Sequence, residues 1–315
     1  MAINHITRMI LKALSFDGIE VEVARHLADL KRLDPMKIFY RTADVNVYNG
    51  DYKVPVRLFF PDEETEKEYE KNKLEFSKLL ILFHGGGWVT DCVDNYERIC
   101  ARLAIHTGYL VAAVEYRLAP EHKFPEGLYD CYAAVEAIYQ RYKELGLNTD
   151  DITLIGDSAG GNLVASVSLL AAAKGEFHPK KQILIYPALY NDYTENSPFL
   201  SVKENGSDYL LTAGKMQDYI TLYAKNEEDK HSPYFAPFLA KDLSNQPKTL
   251  ILTAEFDPLR DEGEAYAKRL MEAGNEVEMH RVKDALHGYF ALGIKHFHVE
   301  ESLNYIKDFL GGNHG

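Results

Sequence analysis

The chain has 315 residues, 46% of them apolar and 26% charged, which is the composition of a soluble globular protein with one large domain or two small ones. A formal net charge of -13 argues against nucleic-acid binding and against an anionic membrane surface. Three cysteines, Cys92, Cys100 and Cys131, are an odd number without disulfide or zinc spacing and point to a reducing compartment.

Residues 1 to about 40 read as two amphipathic helices. Ile6, Met9, Ile10, Ala13 and Leu14 fall at helical spacing, as do Val23, Leu27, Leu30 and Leu33. Gly18 separates the two, and Asp34-Pro35 ends the second. Arg8 and Lys12 are present without an uninterrupted apolar stretch, so no signal peptide is expected, and no apolar run approaches bilayer length. A cytoplasmic location follows as the expectation. Helices ahead of a sheet must lie across something, and the mouth of a site is one place.

Val45–Tyr48 and Val54–Phe60 flank Asn49-Gly50-Asp51, a hairpin signal, and Pro55 marks its strand as an edge or starting position. Residues 62–73 are dense in Glu and Lys and read as a solvated loop or short exposed helix without assigned function. From Leu79 the period changes. Leu79–Phe83 is a continuous apolar run, as in a strand buried on both faces, and it ends in His84-Gly-Gly-Gly-Trp88. Further strands are expected at Tyr109–Val114, Ile152–Ile155, Gln182–Tyr186, Leu250–Ala254 and Val277–Val282, with helices over Cys131–Leu145 and Asn162–Lys174. Alternating strands and helices argue a mostly parallel, eight-stranded, doubly wound α/β sheet with the first hairpin as an antiparallel edge. The interval from Tyr186-Pro187 to Thr249 breaks the alternation. It holds eight aromatics between Tyr190 and Phe235 and a helix over Lys215–Tyr223 capped by Thr212. These aromatics either line a substrate pocket or attach the segment to the body.

The stretch around which the chain is organised is Gly156-Asp-Ser158-Ala-Gly160, lying between a strand and an apolar helix. In that setting G-x-S-x-G raises a serine hydroxyl above the sheet on a turn too tight for side chains at the flanking positions. The helix that follows aims its N-terminal dipole at the same point. A serine needs a base, and His287, in Ala285-Leu-His-Gly-Tyr-Phe290 after the last strand, is the choice among twelve histidines. The base needs a carboxylate. Asp257 is preferred over Glu255 and Asp261, the latter explained as a first-turn acid. The glycines after His84 can turn backbone N–H groups to one point, and a phosphate loop fails for want of a following Lys-Ser/Thr.

At this point the chain resembles the hormone-sensitive-lipase-like branch of the α/β-hydrolase carboxylesterases and acetyl esterases. The resemblance runs from Leu79 to Phe290. It rests on His84-Gly-Gly-Gly-Trp88, Tyr116-Arg-Leu-Ala-Pro-Glu121, Gly156-Asp-Ser-Ala-Gly-Gly161, Asp257-Pro-Leu-Arg-Asp-Glu-Gly263 and His287-Gly288 in that order. It implies one α/β-hydrolase domain over 1–315, capped by residues 1–40 and the insertion 188–235. It also implies Ser158 as nucleophile, His287 as general acid/base and Asp257 as its orienting carboxylate. The N–H groups of Gly86, Gly87 and Ala159 become the oxyanion hole, His84 and Asp157 supporting residues, and Arg117 with Glu121 a structural turn network. It implies no metal or cofactor, a small-molecule ester as the partner, and leaves a homodimer open. The activity implied is hydrolysis of short acyl esters, acetyl to hexanoyl, with a sugar, aryl or glycerol alcohol side. The alternatives are a ligand-binding module on an inactive hydrolase fold and an amidase or drug-inactivating hydrolase.

Overall fold

The computed structural model describes residues 36–71, 78–292 and 296–311, and within the first 35 residues 20–29 and single positions at 9, 11, 12, 15, 18, 32 and 34. The helix expected around Ile6 to Leu14, the positions Leu30, Leu33 and Pro35, and residues 72–73 of the charged stretch lie outside the described residues or only partly within them.

In chain order come α1 (Val21–Asp29), β1 (Thr42–Asn49), β2 (Tyr52–Phe59), α2 (Glu63–Glu70), β3 (Leu79–Phe83), α3 (Val93–Thr107), β4 (Leu110–Val114) and α4 (Glu126–Arg141). Then follow β5 (Ile152–Asp157), α5 (Ala159–Lys174), β6 (Lys181–Ile185), α6 (Leu200–Asn205) and α7 (Ala213–Tyr223). The chain closes with β7 (Lys248–Phe256), α8 (Arg260–Glu272), β8 (Val277–Leu286), α9 (Tyr289–Leu292) and α10 (His296–Phe309). The eight strands form one sheet in the order β1-β2-β4-β3-β5-β6-β7-β8. Only β2 runs antiparallel to its neighbours, which makes this the mostly parallel doubly wound sheet that the alternation of elements implies.

The period-two alternation of a strand buried on both faces decides which helix covers what. In β3, Leu79, Ile81 and Phe83 join the core under α4, α5 and α8, while Leu80 and Leu82 join the core under α3 and α10. The sequence direction reverses at β3, since β4 lies on one side of it and β5 on the other. In such sheets a crevice opens at that point, beyond the carboxyl ends of the strands. α5 runs through the middle, with every residue from Ala159 to Ala171 buried, as its uniformly apolar surface requires.

Four local expectations change. β2 is not an edge: it lies between β1 and β4, and Pro55 is tolerated because it sits where the β2–β4 ladder ends and only its carbonyl is used, by the Glu115 N–H at 2.9 Å. α4 starts five residues earlier than its periodicity suggests, at Glu126 behind Pro125, and ends at Arg141. Its first turn packs so closely on the loop after β4 that a Cβ at Gly127 would lie 2.6 Å from the Arg117 carbonyl oxygen. β8 continues to Leu286 through an irregularity. A further helix, α10, follows the last expected strand.

The hairpin turn has Gly50 at a φ of 56°, and the acidic stretch forms the exposed α2, capped by the Asp62 side chain accepting the Thr65 N–H at 2.8 Å. Cys92, Cys100 and Cys131 are free thiols. Among the described residues no helix is long and apolar enough to cross a membrane.

Candidate active site

The ends of β3, β5 and β8 line one cavity, and the end of β7 backs it through Asp257. β5 ends at Asp157, and Ser158 follows as the N-cap of α5 with φ 54° and ψ -119°. A non-glycine residue in that region is strained and holds only where its surroundings fix it. Here the Ser158 N–H donates to the Ile185 carbonyl at 2.9 Å, and its carbonyl accepts the N–H groups of Asn162 and Ala188 at 3.1 and 3.2 Å. The flanking glycines are steric necessities. A Cβ at Gly156 would lie 2.4 Å from the Gly160 backbone, and one at Gly160 would lie 2.0 Å from the Phe83 carbonyl oxygen.

The Ser158 hydroxyl donates to Nε2 of His287 at 2.9 Å, and Nδ1 of His287 donates to Oδ2 of Asp257 at 2.7 Å. A carboxylate at Nδ1 selects the tautomer with its proton there, which leaves Nε2 to accept from the serine. Asp257 is fully buried, and its other oxygen accepts the Leu259 N–H at 2.8 Å. The competing acids are engaged elsewhere. Glu255 accepts the Asp284 N–H at 2.7 Å, while Asp261 accepts the Ser201 N–H at 2.7 Å and Nε of Arg260 at 2.8 Å.

Beyond β3 three consecutive residues, Gly86, Gly87 and Trp88, have positive φ values of 100°, 60° and 60°. The Gly86 carbonyl accepts from the Val89 and Thr90 N–H groups and the Thr90 hydroxyl. Gly86 and Gly87 line the cavity together with Ser158 and His287, and Ala159 is the buried first residue of α5. The ring of Tyr219 from α7 lies so close that a Cβ at Gly87 would sit 2.4 Å from it.

Asp157 faces the same cavity and ties its walls together. It accepts the Gly85 N–H at 3.1 Å and the hydroxyls of Tyr96 and Tyr186 at 3.0 and 3.2 Å. Burial pushes both phenols well above their ordinary range, with the Asp157 charge adding to it, so they act as donors. The Tyr186 ring packs 4.8 Å from that of His287, and its hydroxyl accepts the Ala291 N–H. His84 does not reach the cavity. It is buried, stacks on Tyr116 at 4.3 Å, and its carbonyl accepts the Tyr116 hydroxyl at 2.7 Å, which steadies the start of the glycine loop.

Arg117 and Glu121 belong to separate networks rather than one. Arg117 pairs with Asp130 and Glu126, whereas Glu121 pairs with Arg25 of α1, because the intervening turn carries the two side chains apart. Of the eight aromatics in the insertion, Tyr219 lines the cavity. Tyr223 and Phe235 stack with Trp88, Tyr190 and Phe199 pack edge-on with Phe238, and Tyr209 packs on Phe256. The cavity measures about 220 Å³, and Leu210, Leu211, Met216 and Leu292 supply its apolar wall.

Tyr96, Tyr186 and Arg25 are not among the site residues expected from the sequence, and Glu255 is weighed there only as a partner for His287. Tyr186 carried a usable signal, as the residue at the carboxyl end of a strand in a doubly wound sheet. Tyr96 and Arg25 carried none, since both act across 61 or more residues of chain. Among the described residues no group of three or more His, Cys, Asp or Glu side chains is placed to hold a metal ion.

The geometry is that of an α/β hydrolase, and the comparisons with known proteins agree. Residues 80–291 match the model of a family described as having the alpha/beta hydrolase fold. An arylesterase of Saccharolobus solfataricus is 36% identical over 275 residues, covering 87% of this chain and 84% of that protein. An ethyl acetate hydrolase of Pseudomonas putida is 34% identical over 253 residues, covering 80% and 76%. The structure of a hyperthermophilic esterase from the archaeon Pyrobaculum calidifontis superposes with a TM-score of 0.85 at 33% identity, covering 98% of both chains. The chain belongs to this alpha/beta hydrolase family.

Proposed function

We propose that the protein is a carboxylic ester hydrolase that works through an acyl-enzyme on Ser158. The observation that carries the reading is the continuous chain of short hydrogen bonds from Ser158 through His287 to the buried Asp257. Ser158 Oγ attacks the ester carbonyl while His287 Nε2 takes its proton. The oxyanion that forms lies against the N–H groups of Gly86, Gly87 and Ala159, the last at the positive end of α5. His287 then gives the proton to the leaving alcohol, and the alkoxy C–O bond breaks. A water deprotonated by His287 attacks the acyl-enzyme, and the acid leaves as Ser158 is reprotonated. Asp257 holds the imidazole in the required tautomer and stabilises its cationic form.

Short acyl groups, acetyl to hexanoyl, are the proposed acyl range. A cavity of about 220 Å³ is smaller than the roughly 300–1,000 Å³ of clefts that take drug-sized ligands, and one relative is named for ethyl acetate. Residues 1–40 and 188–235 are proposed as the cap over the site. In support, Tyr219 of α7 covers Gly87, and Arg25 of α1 donates to the Val89 carbonyl at 2.9 Å just past the glycine loop. Free thiols at all three cysteines favour a reducing, cytoplasmic setting.

The test is hydrolysis of p-nitrophenyl acetate, butyrate, octanoate and laurate by the wild type and by Ser158→Ala. The expected result is turnover of the short esters, fading toward laurate, and a loss of about 10³-fold or more in the variant. Turnover by Ser158→Ala close to wild type overturns the nucleophile assignment. A maximum at laurate overturns the short-acyl range. Inertness of both with retained ester binding favours a binding module.

A further inference from the structure

From Thr249↔Val277 to Ala254↔Val282, paired residues of β7 and β8 are 28 apart in sequence. At Phe256↔Leu286 they are 30 apart. Two extra residues of β8 are therefore absorbed between Val282 and Leu286, opposite the single residue Glu255. The next position at the new spacing is Asp257 against His287, which are hydrogen-bonded. At the old spacing Asp257 would lie level with Ala285, and His287 would sit two residues, roughly 6.6 Å, further along. The bulge is what brings the two together.

Glu255 has one backbone N–H and one C=O, too few for regular ladder pairing with the three residues of β8 opposite it. Its middle residue, Asp284, has a φ of 56°, a left-handed conformation disfavoured for an L side chain. The N–H of that same residue is taken by Oε2 of Glu255 at 2.7 Å. Glu255 is itself fixed, its carbonyl accepting from Nη1 of Arg260 at 3.1 Å.

We infer that Glu255 is a positioning residue for His287: its carboxylate pins the β8 bulge that sets the imidazole level with Asp257. This rests on the proposed role of His287 as the base. What the bulge needs from Glu255 is an acceptor at the right reach, not a charge. Glutamine retains that acceptor, aspartate retains the charge but falls one methylene short, and alanine retains neither.

The test measures kcat, KM and melting temperature of the full-length protein and of Glu255→Ala, Glu255→Asp and Glu255→Gln, with Ser158→Ala alongside. For Glu255→Ala the expected result is a fall in kcat of about 10²-fold, the usual effect of an ångström-scale displacement of a catalytic group, with KM nearly unchanged. Glu255→Gln is expected to stay near wild type and Glu255→Asp to fall clearly below it, a ranking that holds the inference even if the alanine variant does not fold. A wild-type kcat in Glu255→Asp or Glu255→Ala, or equal loss in the Gln and Asp variants, overturns it. An active Ser158→Ala brings down the proposed function instead, so the two failures are distinguishable.

Discussion

Replacing Gly160 by alanine tests whether the serine turn and the glycine loop are one rigid unit. The new Cβ would lie 2.0 Å from the Phe83 carbonyl oxygen and 2.6 Å from that of His84, while ordinary contact begins at 3.4 Å. The deficit is more than an ångström. Phe83 cannot supply it, because β3 is paired along its length with β4 on one side and β5 on the other. The displacement must fall on the first turn of α5, which carries Ser158 and the Ala159 N–H. Overpacking of this size costs about 1–3 kcal/mol of stability. An ångström of misplacement at the proposed nucleophile costs about 10²-fold in rate. The assay pairs kcat/KM on p-nitrophenyl butyrate with a thermal melt. Gly175→Ala is the control: its φ is 69°, so alanine there is strained, but nothing lies within 4 Å of the added Cβ. That variant should lose some stability and keep its activity. A Gly160→Ala enzyme that is destabilised like the control yet equally active would show that the turn and the loop move independently.

Two further outcomes follow from groups outside the proposed catalytic chain. Arg25 donates to the Val89 and Ala119 carbonyls at 2.9 Å and forms a two-pronged pair with Glu121. Because Glu121 is 55% exposed, that pair is screened, and the carbonyl bonds carry most of the effect. Arg25→Ala should cost about 1–3 kcal/mol, and an unchanged melting temperature would count against these contacts as an anchor of α1. The pairing holds the Glu121 carboxyl down from 4.5 to about 2, so its share of stability is present above pH 4.5 and fades as pH falls toward 2. Glu262 behaves in the opposite way. Burial pushes its carboxyl up from 4.5 to about 8 while it accepts the Leu189 N–H and the Tyr193 hydroxyl. Its share of stability is full below pH 4.5 and declines as pH rises toward 8, because the unfolded chain releases this proton first. Glu262→Gln should flatten that decline in a series of melts between pH 5 and 8.5, and parallel curves for the two proteins would exclude Glu262 as its source.

The strands, their mostly parallel arrangement and the position of the serine are legible in the chain read residue by residue. Those features are local: a continuous apolar run is a buried strand, and glycines two residues on either side of a serine are required by contacts within one turn. The sequence also narrowed the carboxylate to three acids within seven residues. Among them it preferred Asp257, and the fold places that acid against His287, a pairing that depends on a two-residue bulge between Val282 and Leu286. No periodicity announces such a bulge, and the expected strand stopped where it begins. The edge or starting position expected for Pro55 failed for a related reason: Pro55 is the fourth residue of β2, and strand order is settled by crossovers and not by the strand's own residues. Tyr96 and Arg25 came to their partners from segments with no shared pattern, brought there by the packing of helices on a twisted sheet. Residue chemistry and local sterics are written in the order of the chain, whereas the meeting of Ser158, Asp257 and His287 across 129 residues is set by the register and order of the strands that carry them.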